Sequence, residues 1–165
     1  MLDEGDTYSQ SLSAYRQEMA TRSQTIGYSL SDSPTGLAAW ITTMMQDVAG
    51  THDEHGHLQD VIPRDEVIDN LMLYWLPNAG TSAARIYWEA TRAGWSTNGT
   101  LDAPVTIPTG VTVMPGSHSR RSRRWAARRY LDLVRFSEPA RGGHFAFLEQ
   151  PEILVDDVRA TFRGL

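Results

Sequence analysis

The stretch VTIPTGVTVMP (residues 105–115) decides how this chain folds. Its β-branched residues alternate with small and polar ones, which reads as a strand near Gly110 to Met114. An arginine-rich helical segment follows, and then LVRFSE (Leu133 to Glu138), which reads as a second strand. Further on, Pro151 opens a last helix with Leu154, Val158 and Phe162 at i, i+4 and i+8. Strand, helix, strand, helix implies a parallel pair joined by a crossover, and hence an α/β sheet.

Upstream of this stretch the pattern is helical. Residues 1–30 are polar and turn-rich with weak periodicity. At Asp32, Ser33 and Pro34 a capping side chain precedes proline at the first helical position, a helix start. Leu37, Ile41, Met44, Met45 and Val48 then recur at helical spacing until Gly50. THDEHGHLQD (residues 51–60) reads as a polar loop. A second helix runs from about Asp65 to Leu76, with Val67, Ile68, Leu71, Met72 and Trp75 on one face and Pro77 closing it. A third runs from about Ser82 to Ala93.

Two strands cannot make a doubly wound sheet, and a parallel pair normally sits buried on both faces. Several amphipathic helices with so little sheet would leave apolar surface and a strand edge exposed. The pattern suits the end of a larger domain better than a whole one.

Composition excludes some chemistries. With no cysteine there is no disulfide, no thiolate metal site and no cysteine nucleophile. The 41% hydrophobic and 21% charged content is ordinary for a globular protein. The first thirty residues lack a sustained apolar core, and no apolar run approaches the length of about 18 residues that a membrane helix needs. A cytoplasmic location is the expectation. The net charge is −5, yet six of the fifteen arginines lie between Arg120 and Arg129. That patch could bind phosphates, but a solvated helix face is the better reading in an acidic chain without a nucleic-acid motif.

The residues that could carry chemistry are few. His144 follows Gly142 and Gly143 in RGGHFAFLEQPE (residues 141–152), a loop after a parallel strand, where such folds place catalytic groups. His52, Asp53, Glu54, His55 and His57 invite a metal reading, but their spacing is that of a solvated connector, so no metal site is expected. GYSLSDSPTG fails as a nucleophile elbow, because Ser31 stands where the second glycine should be. Asn98-Gly99-Thr100 fits the glycosylation triplet, incidentally in this context. Tyr15 and Tyr87, read alone, are packing residues.

ATRSQTIGYSLSDSPTGLAAWI, DNLMLYW, TSAARIYWE, PTGVTVMP, RRWAARRY and RGGHFAFLEQPE, in this order, change that reading. From about residue 14 onward the chain resembles the C-terminal part of an epoxide hydrolase of the α/β-hydrolase superfamily, the group related to the microsomal enzyme. The resemblance implies a mostly helical cap over residues 1–103. Residues 104–165 would then be the last two parallel strands and helices of the hydrolase core, with the sheet incomplete. It implies an aspartate that opens the epoxide to an ester, two lid tyrosines that donate to the departing oxygen, and a histidine that activates water. Tyr15 and Tyr87 would be the tyrosines and His144 the base. No cofactor is implied.

Two departures from the family pattern matter. The nucleophilic aspartate and its oxyanion loop belong to an N-terminal half that these residues do not include. Ser117 of MPGS falls where the family carries its acid, and serine cannot balance an imidazolium. Glu138 is a conceivable substitute; His118, beside that position, is not a carboxylate. The expectation is therefore an epoxide hydrolase-like chain, inactive alone, whose partners would be a small epoxide and an N-terminal half or a second copy. A non-catalytic interaction module is the alternative, and a nucleic-acid binder ranks third.

Overall fold

Residues 12–50, 56–93, 103–117 and 122–164 are described by the computed structural model. The chain divides into two units, Met1–Asp47 with Ile62–Leu101, and Val48–Val61 with Asp102–Leu165.

The first unit is built from helices α1 (Ala14–Asp32), α2 (Pro34–Val48), α3 (Arg64–Trp75) and α4 (Gly80–Arg92). α1 runs through residues whose sequence reads as polar and turn-rich, and small residues explain the difference. It packs against α4 through close backbone approach: a Cβ on Gly27 would lie 2.7 Å from Thr81 Cγ2, and one on Gly80 would lie 2.8 Å from Leu30 Cβ. Such a face carries little hydrophobic periodicity. Thr81 Oγ1 donates to the Gly27 carbonyl at 2.8 Å, which leaves the Ser31 hydroxyl to donate to Thr81 Oγ1 at 2.7 Å. Arg85 Nη2 reaches Gln24 Oε1 at 2.9 Å farther along the same antiparallel seam. Met19, Leu30 and Ala84 are buried.

α1 is not straight. Arg22, at φ −137 and ψ 42, breaks the helical path. Thr21 Oγ1 donates to the Gln17 carbonyl at 2.7 Å, a back-bond of the kind that bends helices, and Arg22 Nη1 donates to the Thr21 carbonyl at 3.0 Å. The break has a consequence for Tyr15. At about 1.5 Å per residue, straight helix from Gly27 back to Tyr15 spans about 18 Å, whereas Thr81 to Tyr87 spans about 9 Å. The bend absorbs the mismatch.

At the start of α2 the Gly36 N–H donates to Ser33 Oγ at 3.0 Å, the cap that the sequence announces. Leu37, Ile41, Met45 and Val48 are buried as their spacing predicts. Asn78, in the left-handed region at φ 52, turns the chain from α3 into α4, and the Ala79 N–H closes on the Tyr74 carbonyl at 2.8 Å. On α3 Val67 is buried, but Ile68, Met72 and Leu76 beyond its end remain exposed.

The second unit holds strands β1 (Thr109–Thr112) and β2 (Leu133–Ser137), which pair in parallel with a register irregularity between Thr109 and Gly110. A parallel bridge between Val105 and Tyr130 extends the ladder upstream. Helix α5 (Arg123–Arg129) lies between the strands in sequence and is capped by Ser122. A turn of helix, α6 (Ala146–Glu149), leads into α7 (Pro151–Phe162), with Pro151 at its first turn. In the connector read as a loop, residues Leu58–Asp60 form a 3₁₀ turn, and the His57 N–H donates to Asp60 Oδ2 at 2.7 Å.

α7 meets the strands through polar groups. Asp157, 6% exposed, accepts from Thr112 Oγ1 on β1, from Ser137 Oγ at 2.6 Å and from Arg135 Nε at 2.5 Å on β2. Arg135 and Ser137 alternate along β2 and so share the face that α7 covers. Val158 and Phe162 on α7 are left 49% and 55% exposed. The apolar spacing there marks a face that the strands of this unit do not bury.

Burial opposes the charge on Asp157, but the Ser137, Thr112 and Arg135 hydrogen bonds and the Arg135 charge outweigh it and hold the carboxyl below its ordinary 3.8. A depressed folded pKa contributes stability that is full above the unfolded value and is lost as pH falls through the folded one. Urea denaturation should therefore show stability falling as pH drops below 3.8. Asp157→Asn, expected to cost about 1–3 kcal/mol at neutral pH, should flatten that fall. An equal slope in both proteins would remove Asp157 as the group responsible.

Candidate active site

Two half-buried phenols meet in the first unit. The break in α1 brings Tyr15 to Tyr87 of α4, ring centroids 6.0 Å apart and planes at 86°, edge to face. Burial raises the pKa of the Tyr87 phenol above its ordinary 10.0; the field of Tyr15 and a hydrogen bond with it add to the rise, Tyr74 adds further, and Arg16 opposes it. At neutral pH Tyr87 is thus firmly a protonated donor. Two phenols in such proximity can offer hydrogen bonds to one oxygen on which negative charge develops.

The second unit carries the histidine. Gly142 sits at φ +113, a conformation that glycine adopts without strain. Gly143 is required for a different reason: a Cβ there would lie 2.1 Å from the backbone nitrogen of Gly50. The loop thus lies directly against main chain that leaves α2. His144 donates its backbone N–H to the Val48 carbonyl at 3.1 Å, and its exposed side chain stands edge to face with Phe145, centroids 5.0 Å apart and planes at 87°. The Gly116 N–H donates to the Gly142 carbonyl at 2.9 Å, which joins the loops that follow β1 and β2.

Two residues escaped the sequence reading. Glu149, 7% exposed, accepts from the Phe145 N–H at 2.9 Å and from the Gly50 N–H at 3.0 Å. Its place in an apolar run, FAFLEQ, was the available signal, since a charge there must be satisfied. Gly50, read only as a helix stop, is where that carboxylate lands.

Other candidates are placed less tellingly. Ser117 closes a turn by donating its N–H to the Met114 carbonyl at 3.2 Å, and Glu138 is exposed just beyond β2. His52, Asp53, Glu54, His55, His118, Arg120, Arg121 and the Asn98 triplet lie outside the described residues. Among the described residues no group of three or more histidines and carboxylates could hold a metal ion, and no helix is long and apolar enough to cross a membrane. In the arginine-rich helix, Arg128 stacks on exposed Trp125 at 4.8 Å from the ring centre.

No protein-family model matches the chain. Individual proteins do. It is 44% identical over 153 residues to a Stigmatella aurantiaca protein named "Putative epoxide hydrolase", covering 93% of this chain and 33% of that one. It is 35% identical over 158 residues to epoxide hydrolase 1 of Sus scrofa, covering 93% and 34%. The crystal structure of juvenile hormone epoxide hydrolase from the silkworm Bombyx mori superposes with a TM-score of 0.85 at 28% identity, over 99% of this chain and 39% of that one. The chain matches the C-terminal part of the α/β-hydrolase epoxide hydrolases. It spans about a third of the length of the curated relatives it matches. The two-stranded parallel sheet with its helices is accordingly the C-terminal part of an α/β-hydrolase fold.

The phenol pair of this epoxide hydrolase-like chain can be tested without substrate. Tyr15→Phe removes the hydrogen bond and the field of Tyr15 at Tyr87 but leaves its burial. The Tyr87 pKa should fall toward 10.0 and still remain above it. Phenolate absorbance in an alkaline titration reads this, and an unchanged Tyr87 transition would show that the two rings are uncoupled.

Proposed function

We propose that this chain carries the oxygen-donating and water-activating groups of an epoxide hydrolase, and that a carboxylate nucleophile comes from sequence outside these 165 residues. The observation that carries the reading is the edge-to-face meeting of Tyr15 and Tyr87. Two phenols held together in this way can serve a single oxygen.

The roles follow from the chemistry. A carboxylate oxygen attacks an epoxide carbon, the ring C–O bond breaks, and an ester forms. The ring oxygen leaves with negative charge, which hydrogen bonds from Tyr15 and Tyr87 stabilise until one of the phenols gives it a proton. His144 then takes a proton from water, and the resulting hydroxide adds to the ester carbonyl. Collapse releases the diol and restores the carboxylate, and the proton held by His144 returns through solvent to the phenolate, so epoxide plus water gives diol with every group regenerated. An imidazolium formed in this way needs an anion to balance it. Ser117 cannot supply one, and Glu138 is the carboxylate we assign to the test.

Alone, the 165 residues are expected to produce no diol from an aromatic epoxide. Supplied with the N-terminal portion of a related hydrolase, they should do so. In that complex Tyr87→Phe should slow ring opening by on the order of 100-fold, whereas His144→Gln should accumulate the ester, visible by mass spectrometry. A correctly assembled complex that makes neither ester nor diol would defeat the reading. Glu138→Gln should lower the rate of ester hydrolysis if that carboxylate serves as the acid.

The exposed Leu73 on α3 and Leu76 just beyond it, with Val158 and Phe162 on α7, favour a second reading, an interaction module without catalysis. Sedimentation of the chain alone would then show self-association, and the complemented complex would remain inert.

A further inference from the structure

We infer that Glu149 is a positioning residue, whose carboxylate fixes the direction in which His144 presents its imidazole; the inference rests on the reading of His144 as the base. The argument lies in the two peptide units that flank His144. The first donates its N–H, that of His144, to the Val48 carbonyl at 3.1 Å. The second donates its N–H, that of Phe145, to Glu149 Oε1 at 2.9 Å. With both peptide planes held, φ and ψ of His144 are set, and with them the Cα–Cβ direction. The other carboxylate oxygen, Oε2, accepts from the Gly50 N–H at 3.0 Å, so both ties run to the same short segment, Val48 to Gly50.

Alternatives to this role fit less well. A buried carboxylate costs stability unless donors meet it, and an apolar side chain of that size would fill the space more cheaply. What an apolar residue cannot do is accept two main-chain N–H bonds at once. The bridge also explains Gly50: a Cβ there would lie 2.5 Å from Glu149 Oε2 and 2.6 Å from the Gly143 nitrogen. Any other residue at position 50 would push the carboxylate or the loop away.

Glu149→Gln keeps the size of the side chain but turns an amide NH₂ toward one of the two N–H groups, so one tie must break. In the 165-residue chain, nuclear magnetic resonance should show the His144 ring protons losing the displacement that the Phe145 ring imposes. Amide exchange at Phe145 or Gly50 should accelerate by on the order of tenfold, while the amides of β1 and β2 keep their protection. Unchanged ring signals and exchange would overturn the inference. So would protection lost evenly through both strands, because that is what a merely structural role predicts.

Should Glu149→Gln fail to fold, Glu149→Asp, which retains the charge but is too short to reach both donors, is read in the same way. Failure of both to fold would assign Glu149 to stability alone and end the proposal. In the complemented complex, Glu149→Gln should leave ester formation unchanged and slow ester hydrolysis by on the order of 10–100-fold. If the unsubstituted complex makes no ester, the hydrolase reading fails, and the resonance result still decides whether Glu149 aims His144.

Discussion

A carboxylate withdrawn from water has to be met by donors, and in the strand-bearing unit that requirement is met at Asp157. Its acceptors collect a hydroxyl from β1 and a hydroxyl and a guanidinium from β2, so one side chain on α7 spans both strands. A two-stranded parallel pair has little apolar area with which to hold a helix. Polar attachment substitutes for it, and the helix is rotated to suit. This is why Val158 and Phe162 face outward while Thr161 lies against Gly110. The loops that follow β1 and β2 are tied to each other, Gly116 to Gly142, at the end of the pair that Asp157 secures.

The helical unit solves a different problem by different means. α1 and α4 approach through Gly27 and Gly80, close enough for a threonine hydroxyl to bond the opposite backbone. Close approach fixes the seam, and the bend at Arg22 then decides what lies beyond it. Tyr15 and Tyr87 meet because a seam of small residues is followed by a break. Burial, with the field and hydrogen bond of Tyr15 added to it, raises the pKa of Tyr87, which suits the donor role proposed for it.

Chemically the two units divide the labour proposed for them. In that proposal the phenols serve an oxygen that gains charge, and the imidazole serves water. The loop that carries His144 is held by backbone bonds to Val48 and through Glu149 to Gly50. The chain spans about a third of the length of its curated relatives and leaves Leu73, Leu76, Val158 and Phe162 exposed.

Much was legible in the sequence. The alternation of VTIPTGVTVMP and LVRFSE announced the parallel pair, and Ser33-Pro34 announced the start of α2. Both signals are local: β-branched alternation and capping act within a few residues. The six quoted segments in order pointed to the epoxide hydrolases. Less visible was α1, because Ser23 and Gly27 bury without hydrophobic contrast. The apolar spacing of α7 marked a face but could not say that Asp157 would turn it outward. By itself the sequence determined most of the elements, their order and the histidine that follows two glycines. Only the tertiary structure decided that Tyr15 meets Tyr87, that Gly143 touches Gly50, and that Glu149 bridges two amides. Those contacts join residues far apart in the chain, and what brings them together is the depth of a helix crossing and the path of a backbone, neither of which is written in the periodicity of any one segment.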